Sequence, residues 1–172
     1  VGANAAKGQI DSVLREIPLV PPWTVDEFAA WMEDRFGRDI VLSPWQTAAP
    51  NVGEPGACGL TLVTADAFVV KYGELNSERH QRQQIFHEFG HILCEHGGER
   101  FATSMPVSTS VIAAGIDPKM IQTVLHRGVF ETDEERMAEL LGTRLAVMSR
   151  RVRGGDGRFD RIASAFFEPT KQ

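Results

Sequence analysis

The sequence predicts an α+β fold: a small antiparallel sheet packed against a helix that carries His87 and His91, with further helices after it. Three patterns lead there. A capped amphipathic helix occupies 24–36, two runs rich in β-branched and aromatic residues fall within 60–72, and helical periodicity returns from Ser77 onward. Helix first, strands next and helices last is the order of an α+β chain rather than of alternating β-α units.

The elements follow in order. Residues 10–17 form a short helix closed by Pro18 and the Pro21-Pro22 pair. Thr24 is an N-cap with Glu27 three residues on, which completes a capping box. Val25, Phe28, Ala29, Trp31, Met32 and Phe36 make the buried stripe of that helix, and Gly37 ends it. A short strand at 39–42 stops near Pro44, and 46–59, rich in Pro, Gly and Ala, is a loop. Residues 60–63 and 68–72 then pair as a hairpin around Ala65-Asp66. After the turn at 73–76, Ser77 caps a helix running to about Glu95, where Gly97-Gly98 follows. Residues 99–115 lack periodicity and read as a lid or substrate-binding loop. Asp117-Pro118 opens a helix through Met120, Ile121, Val124 and Leu125 to His126. Thr132 or Asp133 caps a further helix over 134–152, and a short last helix covers 162–167 beyond a glycine-rich break.

The 172 residues suffice for one domain with a proper core. We read 23–172 as that domain and 1–22 as an N-terminal segment, with 1–8 treated as a processed or added end. A net charge of −5 leaves no basic excess for nucleic acid as the main partner. The one basic run, Arg150-Arg151-Val152-Arg153, suits the last turn of a helix. Two cysteines, Cys58 and Cys94, do not make a disulfide framework, and a cytoplasmic setting is the simplest expectation. No apolar run is long enough to span a membrane.

Chemistry concentrates in His87-Glu88-Phe89-Gly90-His91. Two imidazoles one helical turn apart on one face can grip a single zinc ion. Glu88, beside the first of them, is placed to take a proton from a water on that ion. Ile85, Phe86, Phe89, Ile92 and Leu93 form an apolar arc at about 100° per residue, which turns the histidines toward a cleft. A catalytic zinc takes three protein ligands and keeps one position open. The metzincin pattern would need Gly and His where Cys94 and Gly97 stand, so the third ligand comes from elsewhere. Glu131, Glu134, Glu135 and Glu139 are available. Glu135 borders a strip of small residues, Ala138, Gly142 and Ala146, against which the motif helix can bring Gly90. It is the preferred ligand, with Glu134 in reserve and Glu139 as a hydrogen-bond partner for a ligand histidine. Tyr72, His80 and His126 are candidate donors to a developing oxyanion, His80 lying about 10 Å from His87 along the helix.

The hairpin, the turn with Asn76 and the run Arg82-Gln83-Gln84-Ile85-Phe86-His87-Glu88-Phe89-Gly90-His91-Ile92-Leu93 together resemble the ImmA/IrrE family of zinc metallopeptidases. Glu135-Arg136-Met137-Ala138-Glu139 is similar to that family's Glu-x-x-Ala-(Asn/Asp) segment, with Glu139 where Asn or Asp is usual and a longer interval after His91. The likeness extends over about 23–148. It implies Zn2+ held by His87, His91 and Glu135, with Glu88 as catalytic base. It also implies a cytoplasmic bacterial or phage endopeptidase whose protein substrate is a helix-turn-helix transcriptional repressor, cleaved to relieve repression. The competing expectation is a non-catalytic zinc-stabilised interaction module, such as a toxin-antitoxin component. Glu88 weighs against it, because a purely structural site needs no base beside its ligands.

Overall fold

The computed structural model describes residues 3–45, 59–94, 120–125 and 132–149. Four helices and four strands succeed one another as α1 (Ala3–Glu16), α2 (Val25–Phe36), β1 (Asp39–Trp45), β2 (Gly59–Val63), β3 (Ala67–Gly73), α3 (Glu78–Leu93), β4 (Thr123–Leu125) and α4 (Thr132–Met148). The chain is α+β, as its element order suggests. The expected loop 99–115, the helix at 162–167, the run 150–153, Cys58, Glu131 and His126 lie outside the described residues.

Local signals place α2 and α3. The Glu27 N–H donates to Thr24 Oγ1 at 3.1 Å, and the Thr24 N–H donates to Glu27 Oε2 at 2.7 Å, so the capping box forms. Gly37 ends α2 at φ 62°, a left-handed cap that glycine adopts without strain. Ser77 caps α3, its hydroxyl accepting from the His80 N–H at 3.4 Å. Gln84 Oε1, buried on α3, accepts from the Gly73 N–H at 3.0 Å and ties the helix to the end of β3.

The sheet is mixed, not antiparallel as expected, with strand order β1-β3-β2-β4. β2 and β3 form the expected antiparallel hairpin, Leu62 facing Val69. β1 runs parallel to β3, Ile40 facing Phe68. The reason is topological: the chain reverses from β1 to β2 and again to β3, and β3 inserts between the two. Two reversals restore the original direction. As an edge strand β1 tolerates Pro44, which has no N–H for a second ladder.

The second correction concerns 117–126. The stretch expected to be helical contains β4, which pairs antiparallel with β2, Thr61 facing Leu125 and Val63 facing Thr123. Its apolar positions 120, 121, 124 and 125 fit a helical face, yet three residues of strand satisfy the open edge of β2. The Gln122 N–H extends that pairing, donating to Val63 O at 2.8 Å.

The core lies between the sheet and the helices. Phe28 of α2 packs on Phe86 and Phe89 of α3 with ring centroids 5.4 and 5.8 Å apart, and Phe68, Val70, Leu141 and Leu145 join them. Ile10 of α1 enters the same core. Arg144 of α4 meets Asp11 at 2.7 Å, and Arg35 of α2 meets Glu16 at 2.6 Å. α3 and α4 touch backbone to backbone. A Cβ on Gly90 would lie 2.8 Å from Ala138 O, and one on Gly142 would lie 2.7 Å from His87 Cα. The small-residue strip has the role expected of it. Among the described residues no helix is long and apolar enough to cross a membrane.

Candidate metal centre

α3 carries both histidines one turn apart, and α4 brings Glu135 to them. His87 Nε2 and His91 Nε2 are 3.2 Å apart. Glu135 Oε1 lies 3.2 Å from His87 Nε2, and Glu135 Oε2 lies 3.3 Å from His91 Nε2. These three side chains are the one group among the described residues whose donor atoms converge closely enough to hold a metal ion. Glu134, the reserve ligand, and Cys94 do not belong to it.

The histidine face departs from expectation in one respect. His91 is 1% exposed and His87 8%, because α4 lies across them instead of leaving them along an open cleft. Among the described residues a cavity of about 220 Å³ adjoins them, lined by His80, Gln83, His87, Glu88, Glu135 and Glu139 among others. Of the three expected oxyanion donors, His80 lines this cavity and Tyr72 packs against the core.

Electrostatics follow from the crowding. Burial alone would depress His87, but the carboxylates of Glu135 and Glu139 reverse that and raise it from its ordinary 6.5 to about 10. Burial likewise opposes the charged form of Glu135, and the hydrogen bonds from His87 and His91 outweigh it, holding its carboxyl well below the usual range. Where no metal is present, a proton on His87 thus takes the central positive charge. Glu139 stands where a partner for a ligand histidine is wanted. Its Oε2 is 3.2 Å from His87 Nδ1, near enough for its charge to act on the ring without the alignment of a full hydrogen bond.

Glu88 is held against β2. It is 3% exposed and accepts a 2.7 Å hydrogen bond from the buried Thr61 hydroxyl. Burial pushes its carboxyl up, partly offset by His87, His91 and the Thr61 bond. The result is a carboxylate more basic than usual beside two metal-ligand candidates. Cys94, just past α3, is pushed up to about 12 by burial and is therefore a neutral thiol.

Sequence reasoning located His87, Glu88, His91, Glu135 and Glu139 but not Thr61 or Gly59, the β2 residues against Glu88. Their only signal is strand alternation, which turns both toward α3 without naming what they meet. No family model, curated protein or solved structure matches the chain.

Proposed function

We propose that this chain is a zinc-dependent endopeptidase of the ImmA/IrrE type, working in the cytoplasm on a helix-turn-helix transcriptional repressor. The observation that carries the reading is the carboxylate of Glu88 beside a three-donor group, on the side where the cavity opens. A purely structural zinc site is closed by four ligands and uses no base. The donor set fits zinc. The two imidazole nitrogens are 3.2 Å apart, close to the roughly 3.3 Å edge of a tetrahedron with metal bonds of about 2.0–2.1 Å, and each has one oxygen of Glu135 at 3.2 or 3.3 Å.

When bound, zinc supplies Lewis acidity, polarising the scissile carbonyl and making water at the site more acidic. The chain's own residues do the rest. His87, His91 and Glu135 would hold the ion, and the charge of Glu139 acts on the His87 ring at Nδ1. Glu88 accepts one proton from the attacking water as its oxygen bonds to the carbonyl carbon. It returns that proton to the amide nitrogen as the carbon–nitrogen bond breaks, leaving a carboxylic acid and an amine. A base buried among protein atoms needs no stripping of its own water shell before it acts, and Glu88 is 3% exposed.

The test uses, as candidate substrate, a helix-turn-helix repressor from the same genome. Wild type is expected to cut it, and Glu88→Gln, which keeps both imidazoles, to cut it slower by on the order of 10² or more. Equal cutting by both removes Glu88 as the base. Relief of repression with the substrate intact replaces the enzyme by an interaction module.

A further inference from the structure

Glu88 is gripped from one side by two residues of β2. Gly59 and Thr61 are two apart in the strand and so face the same way, toward α3. Thr61 is fully buried, and its hydroxyl donates to Glu88 Oε2 at 2.7 Å, the short distance of a charge-assisted bond. It is the one hydrogen-bond partner of Glu88 among the described residues. The other oxygen lies over Gly59. A Cβ there would stand 2.7 Å from Oε1, 3.0 Å from Cγ and 3.2 Å from Cδ. Real Cβ atoms essentially never come as close as 2.7 Å, so a side chain at 59 would make the end of the Glu88 carboxylate shift. Glu88 lines the cavity at the histidines, and so does Gly59.

We infer that Thr61 is a positioning residue for Glu88, pinning Oε2 so that Oε1, over the bare α-carbon of Gly59, is the oxygen that exchanges the proton. The inference rests on Glu88 being the base. A glutamate side chain turns about three bonds, and a base must sit within hydrogen-bond reach of its proton. The peptide ladder cannot supply this restraint, since the β2 backbone at Thr61 is already paired with Val70 and Leu125. A hydroxyl aimed from the strand can. Pinning Oε2 also separates the tasks of the two oxygens: one is held, the other reacts.

The test does not need the natural substrate. Acetohydroxamate binds zinc through two oxygens and passes its proton to a neighbouring base, so its affinity reports whether that base is in place. Calorimetry on the zinc-loaded full chain should show Thr61→Val weakening acetohydroxamate binding about tenfold, as loss of a hydrogen bond to a charged group would. Thr61→Ser, which restores the hydroxyl, should come within about threefold of wild type. Zinc affinity should stay within a few-fold of wild type in both, as a role confined to Glu88 requires. Unchanged acetohydroxamate binding by Thr61→Val, with Glu88→Gln weakened, overturns the positioning role and leaves the base intact. Unchanged binding by Glu88→Gln removes the base, and the positioning role with it. Should Thr61→Val fail to fold, Gly59→Ala decides: weakened acetohydroxamate with zinc retained supports a carboxylate that must stay in this place, and unchanged binding contradicts it.

Discussion

Gly142 lies directly against His87: a Cβ built on it would be 2.7 Å from His87 Cα and 2.8 Å from His87 N. The absence of a side chain on α4 is therefore what lets α4 approach the ligand helix closely enough for Glu135 to reach both imidazoles.

Gly142→Ala should thus act on the centre as well as on the fold. The contacted atoms are backbone and cannot swing away, so the helices must separate. We expect a loss of about 1–3 kcal/mol of stability, the scale of overpacking, together with weakened zinc binding. Urea denaturation of the metal-free chain and a zinc competition titration measure the two effects. Weaker stability with unchanged zinc affinity would mean that Glu135 reaches the ion without this close approach.

The carboxylates of α4 should rank by their place. Glu135→Ala removes one of the three proposed ligands and should cost more zinc affinity than the roughly 10–100-fold typical of losing a residue behind the ligands. Glu139→Ala should fall within that range, because it faces His87 at Nδ1 and does not belong to the three-donor group. Glu134→Ala should be close to wild type. A competition titration that ranked Glu134 first would place the helix one residue out of register.

His87 gives a pH signature. Its folded value is raised from 6.5 to about 10, so its contribution to the stability of the metal-free chain is complete below 6.5 and lost as pH rises through 10. The urea midpoint of the metal-free protein should fall over that window, and Glu135→Gln should flatten the fall. Because zinc needs a neutral imidazole, its binding near pH 8 should release about one proton from this residue. Zinc uptake with no proton released in weakly buffered solution would contradict the raised value.

Much of the centre was legible because helices write their faces in sequence. His87 and His91 are one turn apart, and Ala138, Gly142 and Ala146 mark the strip beside Glu135 where another backbone could come close. The sheet was less legible. Nothing in Asp39–Trp45 says on which side of the hairpin β1 will lie, and that position decides whether the sheet is mixed. β4 is three residues long, too short to separate period 2 from period 3.6, so its pairing with β2 had to decide. The Thr61–Glu88 bond joins residues 27 apart on a strand and a helix. No local spacing rule connects them.

The measurement closest to the central claim is the zinc content of the chain, purified without chelator and quantified against its amino-acid composition. About one zinc per chain is expected in wild type and in Glu88→Gln, as for a single three-ligand site. The double variant His87→Ala/His91→Ala should hold no stoichiometric zinc. A wild-type chain that carries none, and binds added zinc no more tightly than the double variant does, would contradict the metal centre.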